Sequence, residues 1–186
     1  MKRKKYLSDL YRYTGSYSLK SFLRAWRSPT YRFLFFFRIV THNKKFSIKW
    51  VLGIIFYRRL FLKYGLQIPT SVKIGEGLYM PHFGGIVINS GTIIGSNCNI
   101  LQNVTIGNTK GGKSPGSPVI GDRVYIGPGA LIVGGIHIGN DVLIVGNSFI
   151  NIDVPSNSIV MGNPAQIISK EKPSYNYINN LHRYDK

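Results

Sequence analysis

The chain has one cysteine, Cys98, so no internal disulfide can form, and no Cys/His cluster offers a structural zinc site. A reducing, cytoplasmic setting fits that composition. Histidines are few, and only His82 and His137 lie in the repeat described below, too few for a three-His metal centre. Acids are scarce, seven against 24 Lys and Arg in 186 residues. No apolar run approaches the ~20 residues that cross a bilayer. The runs at 33–37 and 50–57 are short, and Arg38 and the Lys44-Lys45 pair interrupt them. The basic start, residues 1–5, leads into polar and aromatic residues rather than an apolar stretch, so no secretory signal is expected.

The charge is unevenly spread. Residues 1–65 hold 16 bases and one acid, Asp9; residues 66–168 hold four of each; residues 169–186 hold four bases and two acids. The net +17 therefore belongs to a basic head on a neutral body. This divides the chain into a basic, aromatic helical segment (1–65), a body (66–168) and a tail (169–186). In the head, 19–26 and 33–40 read as short helices, with Ser28-Pro29 as a break.

The body has a period of six. Ile120, Ile126, Ile132, Ile138, Ile144 and Ile150 recur at that interval. Ile68, Ile74 and Met80, and then Ile88, Ile94, Ile100 and Ile106, keep it upstream. A helix wants apolar residues every 3.6 and a hairpin sheet every two. Period six fits a triangular coil in which three hexads make one turn and the turns stack as parallel strands. Gly and Asn are expected at the corners, where positive φ is needed.

Two places break the period. From Met80 to Ile88 the step is eight, and His82 lies inside it. From Ile106 to Ile120 the step is fourteen, which reads as two hexads sharing two extra residues. The intervening 107–118, rich in Gly, Pro and polar residues, is expected to be an external loop. Repeat architectures place their exceptions where capping or function requires them.

Three segments of the body, Met80-Pro81-His82 through Ile88, Ile100-Leu101-Gln102 through Gly107, and Gly162-Asn163-Pro164-Ala165, resemble the hexapeptide-repeat O-acetyltransferases, serine acetyltransferases among them. The resemblance implies a mainly β fold, a left-handed parallel β-helix with a short helical N-terminal segment. It also implies a homotrimer with sites between neighbouring coils, acetyl-CoA as co-substrate and no permanently bound cofactor. His82 matches the family's general base, and an imidazole can take a hydroxyl proton at neutral pH. Asn108, Thr109, Pro128 and Gly146 match positions along the CoA groove. Asn163 and Pro164 match the turn near the adenine, and Lys170 and Lys172 are candidates for its phosphates. His137 reads as an outward strand residue.

Three positions depart from the serine acetyltransferase pattern. Pro81 stands where an Asp precedes the histidine, Gln67 replaces a second Asp, and Gly116-Ser117 replaces an Arg-His pair. A zwitterionic acceptor would lose counter-charges there, which is costly. The expectation is therefore a sugar hydroxyl, in a bacterial surface or capsule polysaccharide or its lipid-linked precursor. A backbone carbonyl, or Gln102 one turn on from His82, is expected to orient its ring in place of the missing acid. The alternatives are a serine O-acetyltransferase of cysteine synthesis, an amino-sugar N-acetyltransferase and a non-catalytic β-helical scaffold. The head is expected to cap the trimer, to touch the inner face of the cell membrane, or both, rather than bind nucleic acid.

Overall fold

A computed structural model describes residues 5–182; residues 1–4 and 183–186, which include the first basic residues of the head and the last of the tail, lie outside the described residues. Four helices come first: α1 (Lys5–Thr14), α2 (Leu19–Trp26), α3 (Pro29–His42) and α4 (Ile48–Tyr64). Three of them start on a serine cap. Ser18, Ser28 and Ser47 accept from the amides of Ser21, Tyr31 and Trp50. Gly65, at φ 61°, ends α4 in the left-handed conformation that glycine adopts without strain. Sequence reading took α4 for a short apolar run. It is a helix because Trp50, Gly53, Ile54, Tyr57, Leu60, Phe61 and Tyr64 share one inward face.

The body is a coil that winds left-handed. Its first turn holds β1 (Leu66–Gln67) and β2 (Lys73–Ile74). The second holds β3 (Ile86–Ile88), β4 (Ile93–Ile94) and β5 (Asn99–Ile100). The third holds β6 (Thr105–Gly107), β7 (Val119–Ile120) and β8 (Val124–Ile126). The fourth holds β9 (Leu131–Val133), β10 (His137–Ile138) and β11 (Val142–Ile144). The fifth holds β12 (Phe149–Ile150), a bridge at Val154 and β13 (Ser158–Met161), from which β14 (Gln166–Ser169) returns antiparallel. Stacked strands form three parallel faces, β1-β3-β6-β9-β12, β2-β4-β7-β10 and β5-β8-β11-β13. The period-six residues fill the interior as ladders, Ile88-Ile106-Ile132-Ile150 among them. Each fully buried Ile contributes about 1.5–3 kcal/mol relative to exposure.

Register revises the second break in the repeat. Ile120 pairs with Ile94, one face on from Ile106. A regular hexad would put that residue at 112; it stands at 120, so one hexad carries an eight-residue excursion, not two hexads sharing two extra residues. At the first break, Leu66 pairs with Ile86, two residues beyond an 18-residue turn.

The glycines that follow the ladder Ile residues also have a different reason from the one expected. Gly95 and Gly121 have ordinary φ. A Cβ on Gly95 would lie 2.5 Å from the carbonyl carbon of Gly121, and one on Gly121 would lie 2.8 Å from that of Gly139. Successive turns approach too closely there for any side chain. Positive φ falls instead on Asn97, Arg123 and Asp141, two residues further on at the same corner, and on Asn157 at its counterpart in the fifth turn.

The head is bolted to the first turns. Asp9 and Arg38, both buried, pair at 2.8 Å. Asp9 also accepts from the Leu78 amide, and Arg38 donates to the carbonyls of Ile74 and Gly75. Every charge-bearing group of the pair thus has protein partners, which a buried ion pair requires. The tail runs back down the coil. Ser174 donates to Asp141, the Tyr177 carbonyl accepts from the Asn99 side chain, and the His182 backbone exchanges two bonds with the Asn97 side-chain amide. Arg12 reaches both the Asn99 side chain and the Asn179 carbonyl, and burial lowers its guanidinium to about 10.

Gly121→Ala should lower stability by about 1–3 kcal/mol. Gly111→Ala, where nothing lies within 4 Å, should leave the thermal midpoint unchanged. Cys98, pushed up to about 12 by burial, should resist alkylation in the native chain at pH 8 and react once it is unfolded in urea.

Candidate active site

His82 sits at the corner that joins the first turn to the second, within the two-residue insertion, and is exposed. The chain on either side is held firmly. The Met80 amide donates to the Tyr13 hydroxyl at 3.2 Å, and the Met80 carbonyl accepts from Thr30 at 2.7 Å. Burial drives the Tyr13 phenol above its ordinary range, so it stays a neutral hydroxyl. Phe83 meets Tyr64 of α4 edge to face at 5.0 Å. Gly84 and Gly85, at φ 104° and 63°, turn the chain back into β3. Proline at 81 fixes the backbone just before the imidazole.

The same corner recurs on each turn above. The Asn103 amide donates to Gly84, that of Gly129 to Gln102, and that of Asn147 to Pro128. Gly162 accepts from Phe149 and donates to the Ser148 hydroxyl. The corner is therefore one column in which His82, Gln102, Pro128, Gly146 and the Gly162-Asn163-Pro164 turn follow one another along the coil. The Asn163-Pro164 bond is cis. Gln102 has one unusual feature, a buried Oε1 with no hydrogen-bond partner. Buried acceptors of this kind are rarely left unpaired unless they serve a ligand or a mechanism.

The excursion at 108–117 leaves from the opposite edge of the same face. The Thr109 and Gly116 backbones pair at 3.0 and 2.9 Å, and the Thr109 hydroxyl donates to the Ser114 carbonyl. Thr109 thus closes the loop, while Asn108 is exposed. Ser117 donates to Asn89 at 2.8 Å, which ties the loop to the turn below. Between column and loop lies the outer surface of β1-β3-β6-β9-β12, with Val87 and Leu131 partly open. The face runs from the His82 corner at one edge to the loop at the other.

Lys170 is not part of this column. Its amide donates to Asn157, at the far end of β13 from the Gly162 turn. The antiparallel return of β14 carries it away, and Lys172 follows it into the tail. His137 is exposed on β10. Among the described residues, no three His, Cys, Asp or Glu side chains converge in a way that could hold a metal. Sequence reading missed Tyr13 and Thr30 as the clamp on Met80. They lie 67 and 50 residues from it, and nothing in the six-residue pattern points to them.

Residues 117–151 match the family "Bacterial transferase hexapeptide (six repeats)". A serine acetyltransferase of Helicobacter pylori is 38% identical over 108 residues, which is 58% of this chain and 63% of that protein. Serine acetyltransferase 5 of Arabidopsis thaliana is 36% identical over 138 residues, 73% of this chain and 44% of that one. The chain thus spans less than two thirds of these relatives. Soybean serine acetyltransferase complexed with serine superposes at TM-score 0.72 and 28% identity, covering 88% of this chain and 68% of that one. A serine acetyltransferase in complex with CoA superposes at 0.71 and 25% identity, covering 88% of this chain and 68% of that one.

These likenesses overturn the saccharide expectation, and with it the polysaccharide and capsule setting. The error was to let three missing side chains choose the acceptor. Losing an Asp or an Arg at one position removes one counter-charge. It does not exclude others, and the loop carries Lys110 and Lys113, both exposed.

Tyr13→Phe would leave the buried Met80 amide without its acceptor, a cost of about 1–3 kcal/mol. Amide exchange at residues 80–85 should rise several-fold, measured by mass spectrometry, while the fourth and fifth turns exchange as before.

Proposed function

We propose that this chain, a member of the hexapeptide-repeat acetyltransferase family and serine acetyltransferase-like within it, is an acetyl-CoA-dependent O-acetyltransferase whose acceptor is serine. The observation that carries the reading is the column. One exposed imidazole stands on a clamped insertion, at the edge of a face with part-open apolar side chains, in the same column as a buried amide carbonyl with no partner. Residues 66–168 carry the chemistry, and 1–65 and 169–186 support it.

In this reading His82 accepts the proton of the acceptor hydroxyl as its oxygen attacks the thioester carbonyl. The tetrahedral intermediate collapses with loss of the CoA thiolate, and the imidazolium returns the proton to that sulfur. Atoms balance with no covalent enzyme intermediate and no resident cofactor. Gln102 acts as a positioning residue. Its Oε1, which has no hydrogen-bond partner in the structure, is the acceptor offered to a ring N–H of His82, and such a bond would fix the tautomer as a carboxylate does in other sites. Pro128, Gly146, Asn163 and Pro164 line the path for the pantetheine arm and the adenine, and Asn108 and Thr109 edge it on the loop side. Lys110 and Lys113 are the cations available to the acceptor carboxylate. A neighbouring copy in a homotrimer would cover this face and so form a groove, and the part-open Val87 and Leu131 suit such burial.

The test is CoA release from acetyl-CoA by the purified chain, with and without L-serine. Serine-dependent release is expected, and its absence would sink the reading. His82→Ala should cut turnover by about 10²–10⁴-fold with an unchanged thermal midpoint. Gln102→Ala should lower kcat about tenfold with little change in the KM for acetyl-CoA, and Gln102→Glu should restore part of the loss. Gln102→Ala turning over like the parent would remove the positioning role.

A further inference from the structure

Helix α4 is apolar on two sides. Its inward side packs on α3 and on the first turn of the coil. Its outward side carries Ile48, Leu52, Ile55 and Leu62, exposed at 80, 54, 57 and 80%. At 100° per residue these four fall within one quarter of the helix circumference, with Val51 beside them. Phe46, 83% exposed, projects from the loop that leads into the helix. A helix that is apolar all round is ordinarily buried all round. Here the outer stripe has no cover among the described residues.

The surroundings of the stripe are cationic. Lys44, Lys45 and Lys49 gather at its start, Arg58 flanks it, Arg59 falls within it between Ile55 and Leu62, and Lys63 follows at its end, all exposed. No acid of the head can neutralise them, because Asp9 is the single acid in residues 1–65 and is buried against Arg38. Beside the stripe a groove of about 540 Å³ opens between α3 and α4, walled by Phe36, Ile39, Leu52 and Phe56, with Lys49 at its lining. Apolar side chains ringed by unpaired cations match one kind of surface, apolar below and anionic above. A second copy of the same face would set six cations against six. No described helix is long and apolar enough to cross a membrane.

We propose that the outer face of α4, with the Phe46 loop, docks on an anionic phospholipid bilayer. The helix lies in the interface plane, its aliphatic stripe among the upper acyl carbons and its lysines and arginines among the phosphates. The coil stands away from the bilayer on the inner side of the helix. The proposal is independent of which acceptor the active site takes.

The experiment is sedimentation of the full chain with vesicles of phosphatidylcholine alone and with 30% phosphatidylglycerol. Binding should need the anionic lipid and weaken as salt is raised. Leu52→Asp with Ile55→Asp should weaken it at least tenfold. Lys44→Gln, Lys45→Gln and Lys49→Gln together should weaken it about 100-fold, at roughly fivefold per cation. Both variants should keep the parent's thermal midpoint and sedimentation coefficient. Failure of the parent to bind anionic vesicles, or equal binding by the Asp variant, overturns the proposal. So does a parent assembly that the Asp variant breaks into smaller units, since the face would then be covered by a second copy.

Discussion

Everything in the body follows from the spacing of stacked strands. Parallel strands bond to one another about 4.8 Å apart, and that distance leaves no room for an extra residue inside the stack. A residue added to a turn must leave at a corner and return to it. The chain does this twice at the edges of one face, by two residues at His82 and by eight at 108–117. The face left open between them is a consequence of where insertions are sterically permitted. Behind it the interior is a ladder of Ile residues with almost no exposure.

The helical head supplies what the coil cannot. A two-residue bulge on a repeat has no partner of its own type, so its backbone groups must be satisfied from elsewhere. Tyr13 and Thr30 do that at Met80, and Tyr64 braces Phe83. The Asp9–Arg38 pair locks the helices that carry these side chains to the carbonyls of Ile74 and Gly75. The backbone that carries His82 is therefore held from two directions, by the turn above it and by side chains of α1, α3 and α4.

The fold class could be read from the sequence because each ladder Ile is required by the interior and repeats with it. The column of His82, Gln102, Pro128 and Gly146 was legible for the same reason, since residues a turn apart share a corner. The loop length was misdivided because 107–118 has no in-phase residue, and the register is set by pairing with Ile94 rather than by counting. The glycines were given a dihedral role when their constraint is the approach of the next turn, a contact between residues 18 or more apart. Lys170 stands apart from the column because the strand before it runs antiparallel, which nothing in its neighbourhood announces. Acceptor choice was misread because absent side chains report only what is missing. The outer stripe of α4 went unread because Arg58 and Arg59 break the apolar run without breaking the helix.

The returning tail changes what kind of object the coil is. A stack of turns that touch only their neighbours is quasi-one-dimensional, and such a stack can fray from either end one unit at a time. Here residues 174–182 cross the fourth turn at Asp141, the second at Asn99 and Asn97, and end at the helices beside Arg12 and Tyr17. The last turn is thereby tethered to the first. Peeling off the fifth turn pulls on the contacts of the second, so the open filament behaves as a closed loop and its units melt together rather than in sequence.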